Sequence, residues 1–163
     1  MNTKLEIVKD QPRTLRGFQA VLFPLSGKRI ALFVAFPEIG QEAFFELLKL
    51  VRPAYCLEMR SIPTFDLELL NRRKMFAAFD DAECKYLDFV DSTIPPVQDP
   101  EFWSILSSSR QKLHNALGPI LFLVDQSYTP TVREKVLREL AKESESWSCY
   151  EATRSRQLVP VAP

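Results

Sequence analysis

Two arginines stand where an α/β protein places groups that bind anions. Arg60 follows the apolar segment 54–59, and Arg133 lies near the start of the helical segment TVREKVLRELAKES. In such a protein the carboxyl ends of the strands and the amino ends of the helices share one edge of the sheet, where ligands bind. Because a guanidinium can donate two hydrogen bonds to one carboxylate or phosphate, the two arginines predict an anion clamp at that edge.

An alternative interpretation gives both arginines a structural role. Arg60 would form an ion pair with Glu58, Asp66 or Asp125, and Arg133 would be solvated. Surface ion pairs of this kind are common and need no ligand. The sequence is balanced between the two interpretations for Arg60, and it leans to the structural one for Arg133.

Short polar residues accompany the arginines at the same predicted edge. Ser61 follows Arg60, and Gln126 and Ser127 follow the apolar segment 119–124. Their hydroxyl and amide groups can donate hydrogen bonds to an anion. We therefore predict a ligand-binding set that consists of Arg60, Ser61, Gln126, Ser127 and Arg133.

Aspartates near that edge are the candidates for catalysis and for metal binding. Asp66 or Asp125 could act as a general base or orient a water molecule, and with Asp91 they could hold Mg²⁺ through oxygen atoms. Asp66 is also typical of a helix N-cap, and the other two are ordinary turn residues. We keep Asp66 and Asp125 as catalytic candidates, but we expect no metal, no cofactor and no enzymatic activity.

Cysteine, histidine and glycine are too few or too widely spaced for several common sites. The three cysteines lie at least 28 positions apart, which excludes a CxxC zinc or redox motif. Cys56 and Cys149 stand in apolar runs and are expected to be buried free thiols. The single histidine, His114, lies near the end of a predicted helix and is interpreted as structural. Four glycines in the chain give no phosphate loop or dinucleotide-binding motif.

Strand-like and helix-like segments alternate along the chain. Apolar runs predict strands at 29–36, 54–59, 85–90, 119–124 and 147–152, with an edge-strand candidate at 18–25. Helical spacing of apolar residues predicts helices at 41–51, 72–82, 102–117 and 131–144. This alternation predicts a single three-layer α/β domain with a mostly parallel sheet of about five strands.

Length and charge bound the domain organisation and the class of partner. The 163 residues suit one domain, predicted at 18–152 between a loosely ordered arm at 1–17 and a flexible tail at 153–163. The 21 basic and 21 acidic side chains leave no net charge, so nucleic acid is not an expected partner. No apolar run approaches the ~20 residues that cross a bilayer, and the arm lacks the apolar stretch of a signal peptide. We expect a cytoplasmic protein with no membrane partner.

Arg60 also lies in a recognisable series of motifs. The chain contains Glu58-Met59-Arg60-Ser61 with Pro63, then Phe65 and Asn71, a strand with Tyr86, and DPEFWSIL at 99–106. In this order the motifs resemble those of the bacterial domain-of-unknown-function family numbered 488, over about residues 29–142. The strand that ends at Arg60 has a weaker parallel in rhodanese-like domains.

The chain departs from that family where the family has thiol and imidazole groups. Phe36-Pro37-Glu38 replaces the family's Gly-His-Ser, and Thr131-Val132-Arg133 replaces its Cys-His-Arg. No thiol follows the segment 119–124, so the rhodanese parallel fails there too. The resemblance therefore implies that both arginines are retained and that the family's cysteine and histidines are missing.

Two functions are expected from these observations. The retained arginines favour a domain that binds an anionic small molecule, phosphate or nucleotide-like, at the carboxyl edge of the sheet. The missing cysteine and histidines favour a non-catalytic interaction subunit, a degenerate copy of the family fold that binds a protein partner. The triplet Arg72-Arg73-Lys74 is the basis of a third, nucleic-acid role, although it is more typical of a solvated helix face.

Overall fold

The computed structural model describes residues 29–36, 38–60, 63, 65, 71–88, 100, 104, 116, 118–125, 129–142 and 147–161. Nine elements occur in these ranges. They are β1 (Arg29–Ala35), α1 (Gln41–Val51), β2 (Tyr55–Glu58), α2 (Arg72–Asp81), β3 (Lys85–Asp88), β4 (Ile120–Val124), α3 (Thr129–Ala141), β5 (Trp147–Ala152) and β6 (Leu158–Pro160). The predicted arm at 1–17, the strand candidate at 18–25 and most of the helix predicted at 102–117 lie outside the described residues.

The strands form one six-stranded sheet in the order β3-β2-β4-β1-β5-β6. β1 is central and pairs in parallel with β4 and β5, and β2 pairs in parallel with β3 and β4. β6 alone is antiparallel and pairs with β5. The predicted mostly parallel sheet is confirmed, and the carboxyl ends of β1 to β5 share one edge.

Apolar side chains on alternate positions of the central strands form two cores, one on each face of the sheet. Leu32 and Val34 of β1 belong to the core that contains α1 and α2. Ala31 and Phe33 belong to the core that contains α3, where Phe33 stacks on Phe122 with ring centroids 5.2 Å apart. Burial on both faces explains the continuous apolar runs, and it confirms the three-layer architecture.

Local sequence determines where the first two helices begin and end. α1 follows Gly40, whose φ of 80° favours glycine, and it ends before Arg52 in the left-handed region with Pro53 next. α2 begins after Asn71, whose Oδ1 accepts a hydrogen bond from the backbone N–H of Lys74 at 2.9 Å. Both helices therefore have the boundaries that the sequence predicts to within one residue.

The carboxyl-terminal segment differs from the sequence prediction. Residues 153–163 are expected to be a flexible tail, but Leu158–Pro160 form β6 beside β5. A tight turn joins the two strands, in which the N–H of Thr153 donates to the carbonyl of Gln157 at 2.9 Å. Apolar and polar residues do not alternate in this strand, because the exposed Val159 is as apolar as the buried Leu158. The sequence pattern therefore does not predict a strand here.

The lengths and compositions of the helices bear on the predicted absence of a membrane segment. In the parts of the chain described above, no helix is both long enough and apolar enough to cross a bilayer.

Candidate functional site

Arg60 lies just beyond the carboxyl end of β2 and forms a buried ion pair with Glu58. Glu58 Oε1 accepts hydrogen bonds from the backbone N–H of Arg60 at 3.1 Å and from its Nε at 2.8 Å. Glu58 Oε2 accepts from Nη2 of Arg60 at 2.7 Å. The side chains of Glu58 and Arg60 are 0% and 1% exposed, so neither charge faces solvent.

Aromatic side chains enclose this Glu58–Arg60 pair. The guanidinium carbon of Arg60 lies 5.0 Å from the ring centroids of both Phe36 and Phe65. The hydroxyl of Tyr86 donates to Glu58 Oε2 at 2.9 Å, which gives the carboxylate a fourth hydrogen bond. The pair is therefore neutral as a whole and closed off by rings, and it has the features of a structural ion pair.

The pKa values agree with this interpretation. Burial by itself would lower the pKa of Arg60, but the hydrogen bond and the charge of Glu58 outweigh burial and raise it. Burial, together with the charge of Glu58, raises the pKa of Tyr86 well above its ordinary value. At neutral pH Arg60 is therefore charged, and Tyr86 keeps the proton that it donates to Glu58.

Arg133 lies in a different part of the edge. It is the fifth residue of α3, which begins at Thr129, two residues earlier than predicted. Its Nη1 donates to Glu151 Oε2 of β5 at 3.1 Å, and its side chain is 25% exposed. β2 and β5 are separated by β4 and β1, a distance of roughly 14 Å at the usual strand spacing. The structure thus does not join Arg60 and Arg133 in one clamp.

The remaining predicted residues are only partly within the described structure. Ser61, Asp66, Gln126 and Ser127 lie outside it, as do Asp91 and His114. Asp125 follows β4, is half-buried, and contributes to raising the pKa of Arg60. Within the described ranges no group of three or more His, Cys, Asp and Glu side chains could hold a metal ion.

A cavity of about 530 Å³ lies at the carboxyl ends of β1 and β5. This edge cavity is lined by Ala35, Glu38, Ile39, Glu151, Ala152, Thr153 and Arg154. Glu38 follows the strand predicted at 29–36, whereas Glu151 lies within the strand predicted at 147–152 and Arg154 lies beyond it, and none of the three belongs to the predicted ligand-binding set. Arg154 lies two positions after the last predicted strand, so its place in the sequence is the signal that could have identified it. Glu151 reaches the cavity because β5 lies beside β1, and no local sequence pattern predicts which strands are neighbours.

The edge cavity combines both signs of charge. Glu38 and Glu151 contribute carboxylates, Arg154 contributes a guanidinium, and Arg133 is bound to Glu151. Partial burial and then the charge of Glu151 raise the pKa of Glu38, which indicates that the two carboxylates repel each other. Arg154 is exposed, and no ion pair joins it to another described residue. The cavity can therefore accept an anionic group at Arg154 and a hydrogen-bond donor at the carboxylates.

The three thiols have surroundings that suppress their reactivity. Cys56, Cys84 and Cys149 are all buried and unpaired, which confirms the prediction for Cys56 and Cys149. Burial raises the pKa of Cys84 to about 12 and that of Cys149 to about 11, and it raises that of Cys56 well above the ordinary value. A catalytic thiol needs the opposite shift.

We expect the native protein to react with a thiol reagent at pH 8 at least about 100-fold more slowly than free cysteine, because so little thiolate is present. In urea all three thiols should react at the ordinary rate. Time-resolved absorbance with an aromatic disulfide reagent measures both. One thiol that reacted rapidly in the native protein would contradict the burial described here.

Comparisons with known proteins identify no relative. The chain matches no family model, no curated protein and no solved structure. Its function is therefore inferred from the residues of the site and their charges.

Proposed function

We propose that the chain binds a small molecule with an anionic group in the edge cavity. The observation that carries the proposal is an exposed arginine, Arg154, in the lining of a cavity at the carboxyl edge of the sheet. Open α/β sheets bind ligands at that edge. A volume of about 530 Å³ is within the usual range of small-molecule sites.

The charges around the cavity favour a ligand with more than one kind of polar group. Arg154 would bind a phosphate or carboxylate, and Arg133 has donors beyond the one that it gives to Glu151. Glu38 and Glu151 would repel a bare anion but would accept hydrogen bonds from hydroxyl or amino groups of the same ligand. A nucleotide-like molecule meets both requirements better than inorganic phosphate does.

The proposal differs from the sequence expectation in the role of Arg60. The closed Glu58–Arg60 pair would have to open before Arg60 could bind an anion. The resemblance to the family numbered 488 therefore supports the proposal only through the retained Arg133. Binding rather than catalysis is proposed, because the lining residues that the structure describes include neither a thiol nor an imidazole.

Thermal unfolding in the presence of phosphate, sulfate and a panel of nucleotides tests the proposal. A ligand at about 100 times its Kd should add about 2.7 kcal/mol to the free energy of unfolding, which corresponds to about 5–10 °C in Tm. Arg154→Ala should lose this shift. Arg138→Ala should keep it, since Arg138 is an exposed residue of α3 outside the cavity.

Two results would contradict the proposal. A panel in which no compound raises Tm would remove the evidence for an anion site. A shift that survives in Arg154→Ala would mean that the ligand binds elsewhere on the protein.

A further inference from the structure

A second cavity, of about 430 Å³, lies between α1 and α2, on the outer surface of that helical layer. This α1–α2 groove is lined by Phe45, Leu48, Lys49, Arg52, Lys74, Ala77, Ala78, Asp81 and Ala82. None of these residues is among those that line the edge cavity. The proposed ligand site therefore does not account for it.

The floor of the groove is apolar. α1 contributes the large side chains of Phe45 and Leu48, and α2 contributes the small ones of Ala77, Ala78 and Ala82. Ala77 is exposed, and Phe45 and Ala78 are half-buried. Large residues opposite small ones leave a furrow between the two helices, a shape that can accept the apolar side of a third helix.

The rim of the groove is mainly basic. Among the described lining residues, Lys49, Arg52 and Lys74 carry positive charge and Asp81 carries a negative charge. Lys74 also makes a contact within the chain. Arg52 also forms an exposed ion pair with Glu83 at 3.0 Å. The first turn of α2 contains Arg72, Arg73 and Lys74 and no acidic residue. Cations there oppose the helix dipole, so helix stability does not explain their position.

We propose that the α1–α2 groove binds an acidic amphipathic helix of a partner protein. The apolar side of that helix would contact the floor, and its carboxylates would face Lys49, Arg52 and Lys74. A nucleic acid would also meet the basic rim, but the floor is made of leucine, alanine and one half-buried phenylalanine rather than of exposed rings on which bases stack. The charges and the floor together favour the peptide.

Fluorescence anisotropy with a labelled model peptide tests this inference. The probe has about four helical turns, with leucines at helical spacing on one side and glutamates elsewhere. It should bind with a micromolar to submillimolar Kd, and binding should weaken as salt is added. The same peptide with lysine in place of glutamate should bind at least tenfold more weakly.

Three variants locate the binding surface. Lys49→Glu reverses a rim charge and Ala77→Glu places a charge on the floor, and each should weaken binding by about tenfold or more. Arg138→Glu makes the same charge change as Lys49→Glu on α3, in the opposite layer, and should leave the Kd unchanged. All three positions are exposed, so Tm and the far-ultraviolet circular dichroism of the variants should match those of the unmodified chain.

Several results would overturn the inference. They are no binding of the acidic peptide at millimolar concentration, equal binding of the lysine peptide, or equal loss in Arg138→Glu. A single-stranded oligonucleotide that binds more tightly than the peptide, and that Lys49→Glu weakens, would assign the surface to nucleic acid instead.

Discussion

Replacing Glu58 by glutamine is expected to lower the free energy of unfolding by about 3–5 kcal/mol. The change removes the charge that offsets Arg60 while Arg60 stays 1% exposed, so a buried cation is left without its counterion. The amide also provides one acceptor oxygen where the carboxylate provides two, and Glu58 accepts four hydrogen bonds. Urea unfolding followed by circular dichroism measures the loss.

A second ion pair in the same chain is the matched control. Arg52 and Glu83 are bonded at 3.0 Å, close to the shortest distance in the Glu58–Arg60 pair, but their side chains are 59% and 84% exposed. Glu83→Gln should cost about 1 kcal/mol or less, because water already screens that pair. Equal losses in the two variants would show that Arg60 is solvated, and Arg60 would then regain its place among the anion-binding candidates.

Replacing Phe65 by alanine is expected to cost about 3–5 kcal/mol, the usual loss for a fully buried ring. Phe65 is buried and packs against four rings, those of Phe36, Phe76, Phe79 and Tyr86. It also covers the guanidinium of Arg60 at 5.0 Å. The alanine variant would therefore open a void and admit water to the Glu58–Arg60 pair as well.

Two further variants separate the part of this stability loss that comes from the void from the part that comes from hydration of the Glu58–Arg60 pair. Phe65→Leu keeps much of the volume and should cost about 1–1.5 kcal/mol. Combining Phe65→Ala with Glu58→Gln should give a loss smaller than the sum of the two single losses, because a guanidinium that water already reaches suffers less when its counterion is removed. Strict additivity of the two losses would mean that the ring and the ion pair are energetically independent.

The sequence predicted the parts of the fold that depend on local pattern. α1 begins and ends at the predicted residues because its apolar spacing and Pro53 determine its bounds. β5 also has the predicted bounds, because an apolar run this short is typical of a strand and too short for a helix. β6 was missed because a single buried residue, Leu158, leaves no periodicity to recognise. Its position depends on pairing with β5, which is a tertiary interaction.

The Glu58–Arg60 pair could be predicted from the sequence, whereas the edge cavity could not. Glu58 and Arg60 are two residues apart in an extended segment, so their side chains lie on the same side of the chain, and this alternation could have singled out Glu58 among the proposed partners. The edge cavity depends instead on β5 lying beside β1. No local pattern contains that neighbour relation, so Glu151 and Arg154 remained outside the predicted set.

The central position of β1 also determines when the sheet can form during synthesis of the chain. Both of its neighbours come late, since Ala31 pairs with Ile120 about 90 residues further on and Arg29 pairs with Trp147 nearly 120 residues further on. Until β4 and β5 have left the ribosome, the apolar segment of β1 has neither of its native partners. Such distant pairings make folding slow and leave this segment exposed to aggregation in the meantime. A chain that ends before Ile120 is therefore expected to aggregate more readily than the full chain, because β1 then lacks both of its native partners.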